Sequence, residues 1–260
     1  MTAKLNSKAG RRVLFAMVLC ASAGMVLAQV DEENVKKSWD EGTFYVPGKM
    51  FSTSPQKIAV DKPLPVVIYL HGCSGITPDQ DLRWGQFIRD QGFIAVLPDS
   101  MARPGRRANC NPKLKTGGTF PQAYAMRQEE IAYALAQVKK APWADARNVF
   151  LMGHSEGGQS VARTPIGDFR GVIISGWTCT HATNADFDGI RVPIQVPILA
   201  MAFDHDAWRE GKPTQGSCAN KFGERKSARQ VTLSGTDHGT YDQREAREAV
   251  AQFLKQNILP

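Results

Sequence analysis

The sequence predicts an α/β protein with a mostly parallel central sheet and helices on both faces. Two observations support this prediction. Short runs such as Pro65–Leu70 and Phe93–Leu97 are apolar throughout, as expected for strands that are buried on both faces. Amphipathic segments such as Asp81–Gln91 separate these runs, and the alternation of strand and helix is typical of parallel sheets.

The remaining elements continue this alternation toward the C-terminus. A loop rich in Pro, Gly and Arg interrupts it over residues 99–118. Ligands of such sheets bind at the carboxyl ends of the strands, so functional residues are expected there. The other predicted elements are edge strands at Thr43–Val46 and Lys57–Val60, a helix from Ala123 to Lys140, strands at Val149–Met152, Val172–Ser175, Val196–Phe203 and Gln230–Leu233, a helix that begins with Gly157–Val161, and a C-terminal helix over Asp242–Asn257.

The N-terminus has the layout of a secretory signal peptide. Four basic residues precede the apolar stretch Val13–Leu27, and small Ala28 favours cleavage between Ala28 and Gln29. The apolar stretch is short for a membrane span, although an uncleaved anchor is the alternative. We therefore expect a signal peptide over 1–28, a periplasmic or secreted mature chain, and no stable membrane association after cleavage.

The charge of the mature chain gives no indication of nucleic-acid binding. Removal of residues 1–28 takes away four basic and no acidic side chains, so the formal charge falls from +7 to +3. The remaining basic residues are scattered along the chain rather than clustered. No linker or internal repeat divides residues 29–260, which predicts a single domain.

Four cysteines remain after the predicted cleavage: Cys73, Cys110, Cys179 and Cys218. An even number of cysteines in an exported protein favours disulfide bonds. Four cysteines allow three pairings, and their positions on the coarse fold suggest Cys73 with Cys110 and Cys179 with Cys218. Free buried thiols are the alternative.

A nucleophile elbow is the clearest motif in the chain. Gly153-His154-Ser155-Glu156-Gly157 has the pattern G-x-S-x-G, with an apolar strand before it and a helix after it. The glycines leave room for the strained turn that exposes the Ser155 hydroxyl. The pattern nominates Ser155 as nucleophile and the backbone amide of Glu156 as a donor to a negatively charged oxygen.

A serine nucleophile needs a base and a carboxylate that orients the base. His238 lies between the last predicted strand and the C-terminal helix and is the candidate base, with an exposed loop histidine as the alternative. Asp206 follows the strand that ends near Phe203 and is the preferred acid. Asp204 is the alternative acid, although it could instead cap a turn.

The second backbone donor is expected in the segment Leu70–Gly75, where the amide of Cys73 is the candidate. No metal or other cofactor is predicted: His154 and Glu156 form no HExxH pattern, and no GxGxxG or Walker motif follows a strand. The segment Arg103–Arg107 is expected to be solvated surface, with contact to an anionic substrate as the alternative.

From Pro65 to the C-terminus, the chain resembles the α/β-hydrolase superfamily and, within it, the dienelactone hydrolase-like group. The segments that carry the resemblance are Leu70–Gly75, Gly153–Gly158, the Asp206 turn and Gly235–Gly239, in the superfamily order. The resemblance implies the α/β-hydrolase fold and a Ser155–Asp206–His238 triad.

The elbow departs from the dienelactone hydrolases in one respect. Enzymes that open dienelactone carry cysteine at the position of Ser155, so the serine favours ordinary ester hydrolysis. The expected function is a serine hydrolase that cleaves small-molecule carboxylic esters, or lactones, through an acyl-enzyme. The alternatives are a non-catalytic binding protein and a serine peptidase on the same fold. Only about twenty residues separate Ser175 from Val196, too few for a large lid domain.

Overall fold

The computed structural model describes residues 32–260, so the predicted signal peptide lies outside the described residues. The helices are α1 (residues 32–40), α2 (Arg83–Asp90), α3 (Pro121–Lys140), α4 (Glu156–Ala162) and α5 (Arg244–Asn257). The strands are β1 (Thr43–Tyr45), β2 (Leu64–Leu70), β3 (Ile94–Leu97), β4 (Cys110–Asn111), β5 (Thr116–Gly117), β6 (Ala144–His154), β7 (Val172–Ser175), β8 (Ile198–Phe203) and β9 (Ala228–Leu233).

Seven of the strands form one sheet in the order β1-β3-β2-β6-β7-β8-β9. Strand β1 is antiparallel to β3, and every other neighbouring pair in this sheet is parallel. In the central strand β2, Ile68 lies between Val96 of β3 and Leu151 of β6. The predicted mostly parallel sheet is therefore confirmed.

Alternate residues of β2 pack on opposite faces of the sheet. Ile68 and Leu70 belong to the apolar core beneath α3 and α4, whereas Val67 and Tyr69 belong to the core beneath α2 and α5. All four side chains are fully buried. Burial on both faces explains why the strand is apolar throughout, and it confirms the predicted helical layer on each side.

The prediction of a strand over Lys57–Val60 is wrong. Residues Pro55–Lys57 form a 3-10 turn, and residues 58–60 have no regular structure. Pro55 has no N–H to donate to a neighbouring strand and begins the turn. Ile58 and Val60 pack, partly buried, against the core. Their apolar character therefore reflects side-chain packing rather than strand pairing.

Two further elements were not predicted, the helix α1 and the short hairpin of β4 and β5 within the 99–118 loop. The disulfide Cys73–Cys110 joins β4 of this hairpin to the segment that follows β2. A second disulfide joins Cys179 to Cys218. This is the pairing that the coarse fold suggests. Within residues 32–260, no helix combines the length and apolarity that crossing a membrane requires.

Candidate active site

Ser155 occupies the turn between strand β6 and helix α4. Its backbone has φ 56° and ψ −113°, a conformation that costs about 1–3 kcal/mol for a residue with a side chain. The glycines on either side are required by packing. A Cβ atom at Gly157 would lie 2.1 Å from the main-chain oxygen of Leu70. A Cβ atom at Gly153 would lie 2.4 Å from the main-chain oxygen of Gly157, so neither position has room for a side chain.

The three residues that sequence reasoning nominated as a triad lie together at the carboxyl edge of the sheet. His238 Nε2 is 2.8 Å from Ser155 Oγ, and His238 Nδ1 is 2.6 Å from Asp206 Oδ2. Because the carboxylate can only accept, Nδ1–H donates to Asp206 and leaves Nε2 to accept from the Ser155 hydroxyl. The imidazole is thus held in the tautomer that a general base needs.

The two candidate acids have different hydrogen-bond partners. The other carboxylate oxygen of Asp206 accepts the backbone N–H of Trp208 at 2.9 Å, which fixes the buried side chain toward His238. The carboxylate of Asp204 accepts the backbone N–H groups of His205 and Gly235, each at 2.9 Å. Asp204 therefore caps the loop and does not contact the imidazole.

The environment of His238 favours its neutral form. Burial lowers the pKa of the imidazole below its ordinary value of 6.5; Asp206 opposes this change, whereas the positive charges of Arg209 and Lys115 add to it. The indole of Trp208 stacks on the imidazole, with ring centroids 5.3 Å apart and planes inclined by 27°. At neutral pH the ring is therefore fixed in place and able to accept a proton.

The two segments expected to supply backbone donors lie beside Ser155. A Cβ atom at Gly72 would lie 3.6 Å from the Ser155 Cβ, so the turn after β2 reaches the nucleophile. Within the described part of the chain, the backbone N–H groups of Cys73 and Glu156 donate to no protein atom. Both donors are therefore free to bind a ligand oxygen.

A buried ionic cluster supports these segments, and sequence reasoning missed it. The Glu156 carboxylate accepts from Arg106 and, at 3.1 Å, from Arg127 Nε. Arg127 also donates to Glu130 at 3.1 Å, and Glu130 accepts from the Ser100 hydroxyl at 2.7 Å. Each buried charge in the cluster thus has a partner of opposite sign, as burial requires.

The expectation of a solvated surface at Arg103–Arg107 is wrong for two of its arginines, whereas Arg107 is exposed as expected. Arg103 and Arg106 are buried, and they form ion pairs with Glu130 and Glu156, respectively. The 99–118 loop folds back over α3 because these carboxylates lie beneath it. The sequence contains one indication of this buried cluster: Arg127 and Glu130 lie three residues apart on the apolar side of the predicted helix.

The imidazole of His71 shapes the turn that carries Cys73. Ser100 N–H donates to His71 Nε2 at 3.0 Å, so the Nδ1–H donates to the main-chain oxygen of Gly72 at 2.7 Å. Burial and the neighbouring Arg127 charge lower the pKa of His71 well below 6.5. His71 is therefore a neutral part of the turn.

The sheet order, the strand–turn–helix elbow and the Ser–Asp–His constellation define an α/β-hydrolase fold. Three solved structures with this fold illustrate the likeness. An S-formylglutathione hydrolase from Agrobacterium tumefaciens is 16% identical with a TM-score of 0.58, covering 84% of this chain and 90% of its own. A protein assigned as a dienelactone hydrolase from Klebsiella pneumoniae is 15% identical with a TM-score of 0.52, covering 76% and 88%.

The third structure is a poly(3-hydroxybutyrate) depolymerase from Bordetella parapertussis, which is 21% identical with a TM-score of 0.51 and covers 84% of each chain. No protein-family model and no curated protein sequence matches this chain. The structural likeness, at these identities, establishes the fold.

Proposed function

We propose that this protein is a serine hydrolase that cleaves carboxylic esters of small molecules through an acyl-enzyme intermediate. The observation that carries the proposal is the continuous hydrogen-bonded path from Asp206 through His238 to Ser155, with distances of 2.6 and 2.8 Å. A serine hydroxyl is a poor nucleophile unless a neutral base lies within hydrogen-bond reach, and His238 meets that requirement.

In the proposed reaction, His238 Nε2 takes the proton of the Ser155 hydroxyl as Oγ attacks the ester carbonyl carbon. The Asp206 carboxylate stabilises the imidazolium, and the N–H groups of Cys73 and Glu156 bind the oxyanion of the tetrahedral intermediate. His238 then gives its proton to the leaving alcohol. Water, deprotonated by the same imidazole, hydrolyses the acyl-enzyme and restores Ser155.

Several features favour an ester over other substrates. The serine at the elbow departs from the cysteine of the dienelactone-opening enzymes, as noted above, which favours esters over lactones. Only residues 176–197 separate β7 from β8, too few for a large lid domain between these two strands. Two of the structural neighbours are an S-formylglutathione hydrolase and a poly(3-hydroxybutyrate) depolymerase, which acts on a polyester. The assignment of the chain to the dienelactone hydrolase-like group rests on the segments Leu70–Gly75, Gly153–Gly158 and Gly235–Gly239 and the Asp206 turn.

Export is part of the proposal. The leader-like segment over residues 1–28 is expected to direct the chain to the periplasm or the outside of the cell. The two disulfides suit such an oxidising compartment, since intracellular proteins rarely keep them.

The proposal can be tested with a fluorophosphonate probe and short-chain nitrophenyl esters on the mature protein. We expect Ser155 to be labelled and the esters to be turned over, and Ser155→Ala to lose both properties while it stays folded. Ser74→Ala is the matched control, because Ser74 is an exposed serine of the segment that carries Cys73. Its labelling and turnover should persist.

Labelling that survives in Ser155→Ala would contradict the assignment of the nucleophile. A folded wild-type protein that is neither labelled nor active would contradict the hydrolase proposal and favour a binding role. Cleavage of peptide substrates with no turnover of esters would indicate a peptidase instead.

A further inference from the structure

A cleft of about 280 Å³ adjoins the candidate active site. Trp208, whose indole stacks on the His238 imidazole, forms part of its wall. The ionisable side chains that line the cleft are all basic among the described residues, namely Lys115, His181, Arg209 and Lys212. None of these basic side chains takes part in a step of the reaction proposed above.

Arg209 is the most informative member of the cleft. Its side chain is only 6% exposed, yet no carboxylate lies within ion-pair distance of it in residues 32–260. Its guanidinium has one weak hydrogen bond, to the main-chain oxygen of Gly176 at 3.4 Å, and lies over the ring of Trp177 at 4.6 Å. Its Nε has no partner among the described residues.

The three arginines of the buried ionic cluster differ from Arg209 in this respect. Arg103, Arg106 and Arg127 each form an ion pair with a glutamate. Burial lowers the pKa of Arg209 to about 10, so the group is still cationic at neutral pH. A buried cation without a counter-ion is costly, and a protein that keeps one beside a cleft can recover that cost when an anion binds.

The neighbouring cations increase this imbalance. Burial lowers the pKa of Lys212; the positive charges of Arg209 and Lys115 add to this change, whereas Asp206 opposes it. The Lys212 ammonium donates to the main-chain oxygen of Lys115, which holds the exposed Lys115 at the rim. Asp206, whose negative charge acts on both Arg209 and Lys212, is committed to His238 and to the Trp208 amide.

We propose that this cleft binds a carboxylate group of the substrate, so that the protein prefers esters that carry a second, anionic group. A guanidinium presents a planar pair of donors that matches a carboxylate, and Lys115 and Lys212 add point charges to the lining of the same cleft. The carboxylate can belong to the acyl part or to the alcohol part of the ester. This inference rests on the proposed esterase function for its substrate, but the cleft can also be tested by binding alone.

The kinetic test compares two matched pairs of esters. Para-nitrophenyl monoadipate and para-nitrophenyl hexanoate differ by a carboxylate on the acyl chain, and para-acetoxybenzoate and its methyl ester differ by a carboxylate on the alcohol. We expect kcat/KM to favour the anionic member by about tenfold in one pair, which identifies the source of the carboxylate. This preference should shrink as ionic strength rises.

The variant Lys115→Gln removes one exposed charge of the cleft and should lower the anionic-to-neutral ratio of kcat/KM by about fivefold. Lys140→Gln is the matched control, because Lys140 is an exposed lysine at the end of α3 and makes no ion pair within the described chain. Its ratio should equal that of the wild type. A ratio that does not change in Lys115→Gln, or equal turnover within both pairs, would overturn the inference.

Calorimetric titration of Ser155→Ala with adipate and with para-hydroxybenzoate separates the two proposals. If one of these two anions binds, and its binding weakens in the double variant that also carries Lys115→Gln, the result supports a carboxylate site in the cleft even if no ester is hydrolysed. Serine-dependent hydrolysis of neutral esters, without carboxylate binding or preference, would leave the proposed function intact and contradict the carboxylate site.

Discussion

The guanidinium of Arg127 connects two segments of the candidate site, because its Nε lies 3.1 Å from the carboxylate of Glu156. The same side chain donates from Nη2 to the main-chain oxygen of His71 at 2.8 Å. Glu156 follows the proposed nucleophile, and His71 lies two residues before Cys73. One fully buried side chain therefore positions both segments whose N–H groups are proposed to bind the oxyanion.

Neutralising Glu156 should destabilise the fold. Glu156→Gln leaves Arg106 and Arg127 without their shared carboxylate, and loss of one partner of a buried ion pair costs about 3–5 kcal/mol. Urea denaturation should show this loss in the free energy of unfolding. Glu129→Gln is the control, because the Glu129 side chain is 53% exposed and its pair with Arg103 should contribute less than about 1 kcal/mol. Equal losses in the two variants would argue against a structural role of the cluster.

The two candidate acids should differ sharply in their effect on turnover. Asp206→Asn removes the charge that stabilises the imidazolium and allows the wrong tautomer of His238, so kcat should fall by about a thousandfold or more. Asp204→Asn keeps an oxygen that accepts from the Gly235 amide and should leave kcat close to the wild-type value. Steady-state kinetics of the two purified variants test this prediction. A larger loss of kcat in Asp204→Asn than in Asp206→Asn would assign the role of the acid to Asp204.

The pH dependence of activity should follow the lowered pKa of His238. The base must be neutral, so kcat/KM should rise with pH through a midpoint below 6.5 and level off above it. The lowered pKa also affects the stability of the fold, because the unfolded chain protonates His238 more readily than the folded chain does. The contribution of His238 to the free energy of unfolding is therefore fully present above pH 6.5 and is lost as the pH falls from 6.5 toward the pKa in the folded state. A kinetic midpoint at or above 6.5 would show that Asp206 outweighs burial.

The two disulfides should differ in function although they close loops of similar length. The linked cysteines are 37 residues apart in Cys73–Cys110 and 39 apart in Cys179–Cys218, and each bond should stabilise the fold by about 4 kcal/mol. Paired replacement of Cys73 and Cys110 by serine should also lower kcat about tenfold in the protein that remains folded, because it loosens a segment that carries an oxyanion donor.

Replacement of Cys179 and Cys218 by serine is the matched control for that experiment. It should produce a similar loss of thermal stability with little change in kcat measured well below the melting temperature. Equal effects on kcat would mean that the Cys73–Cys110 bond only stabilises the fold.

Much of the fold could be predicted from local patterns. Pro65–Leu70 and Phe93–Leu97 are apolar because both sides of each strand are covered, and that requirement is visible in the residues themselves. Lys57–Val60 resembles a strand for a different reason, since Ile58 and Val60 pack against the core without pairing. Local sequence cannot separate these two origins of an apolar segment.

The sequence alone predicted most of the sheet strands and covering helices and the order of the candidate catalytic residues, because strand, helix and glycine-flanked turn are short-range patterns. Only the tertiary structure showed that Asp206 contacts His238 whereas Asp204, two residues away, contacts backbone amides. It also buried Arg103 and Arg106 against Glu130 and Glu156, although their composition suggested a solvated loop. The partners in these ion pairs are far apart in the sequence, so no local pattern reveals them. Whether an arginine is solvated or buried in an ion pair depends on the groups that folding brings into contact with it.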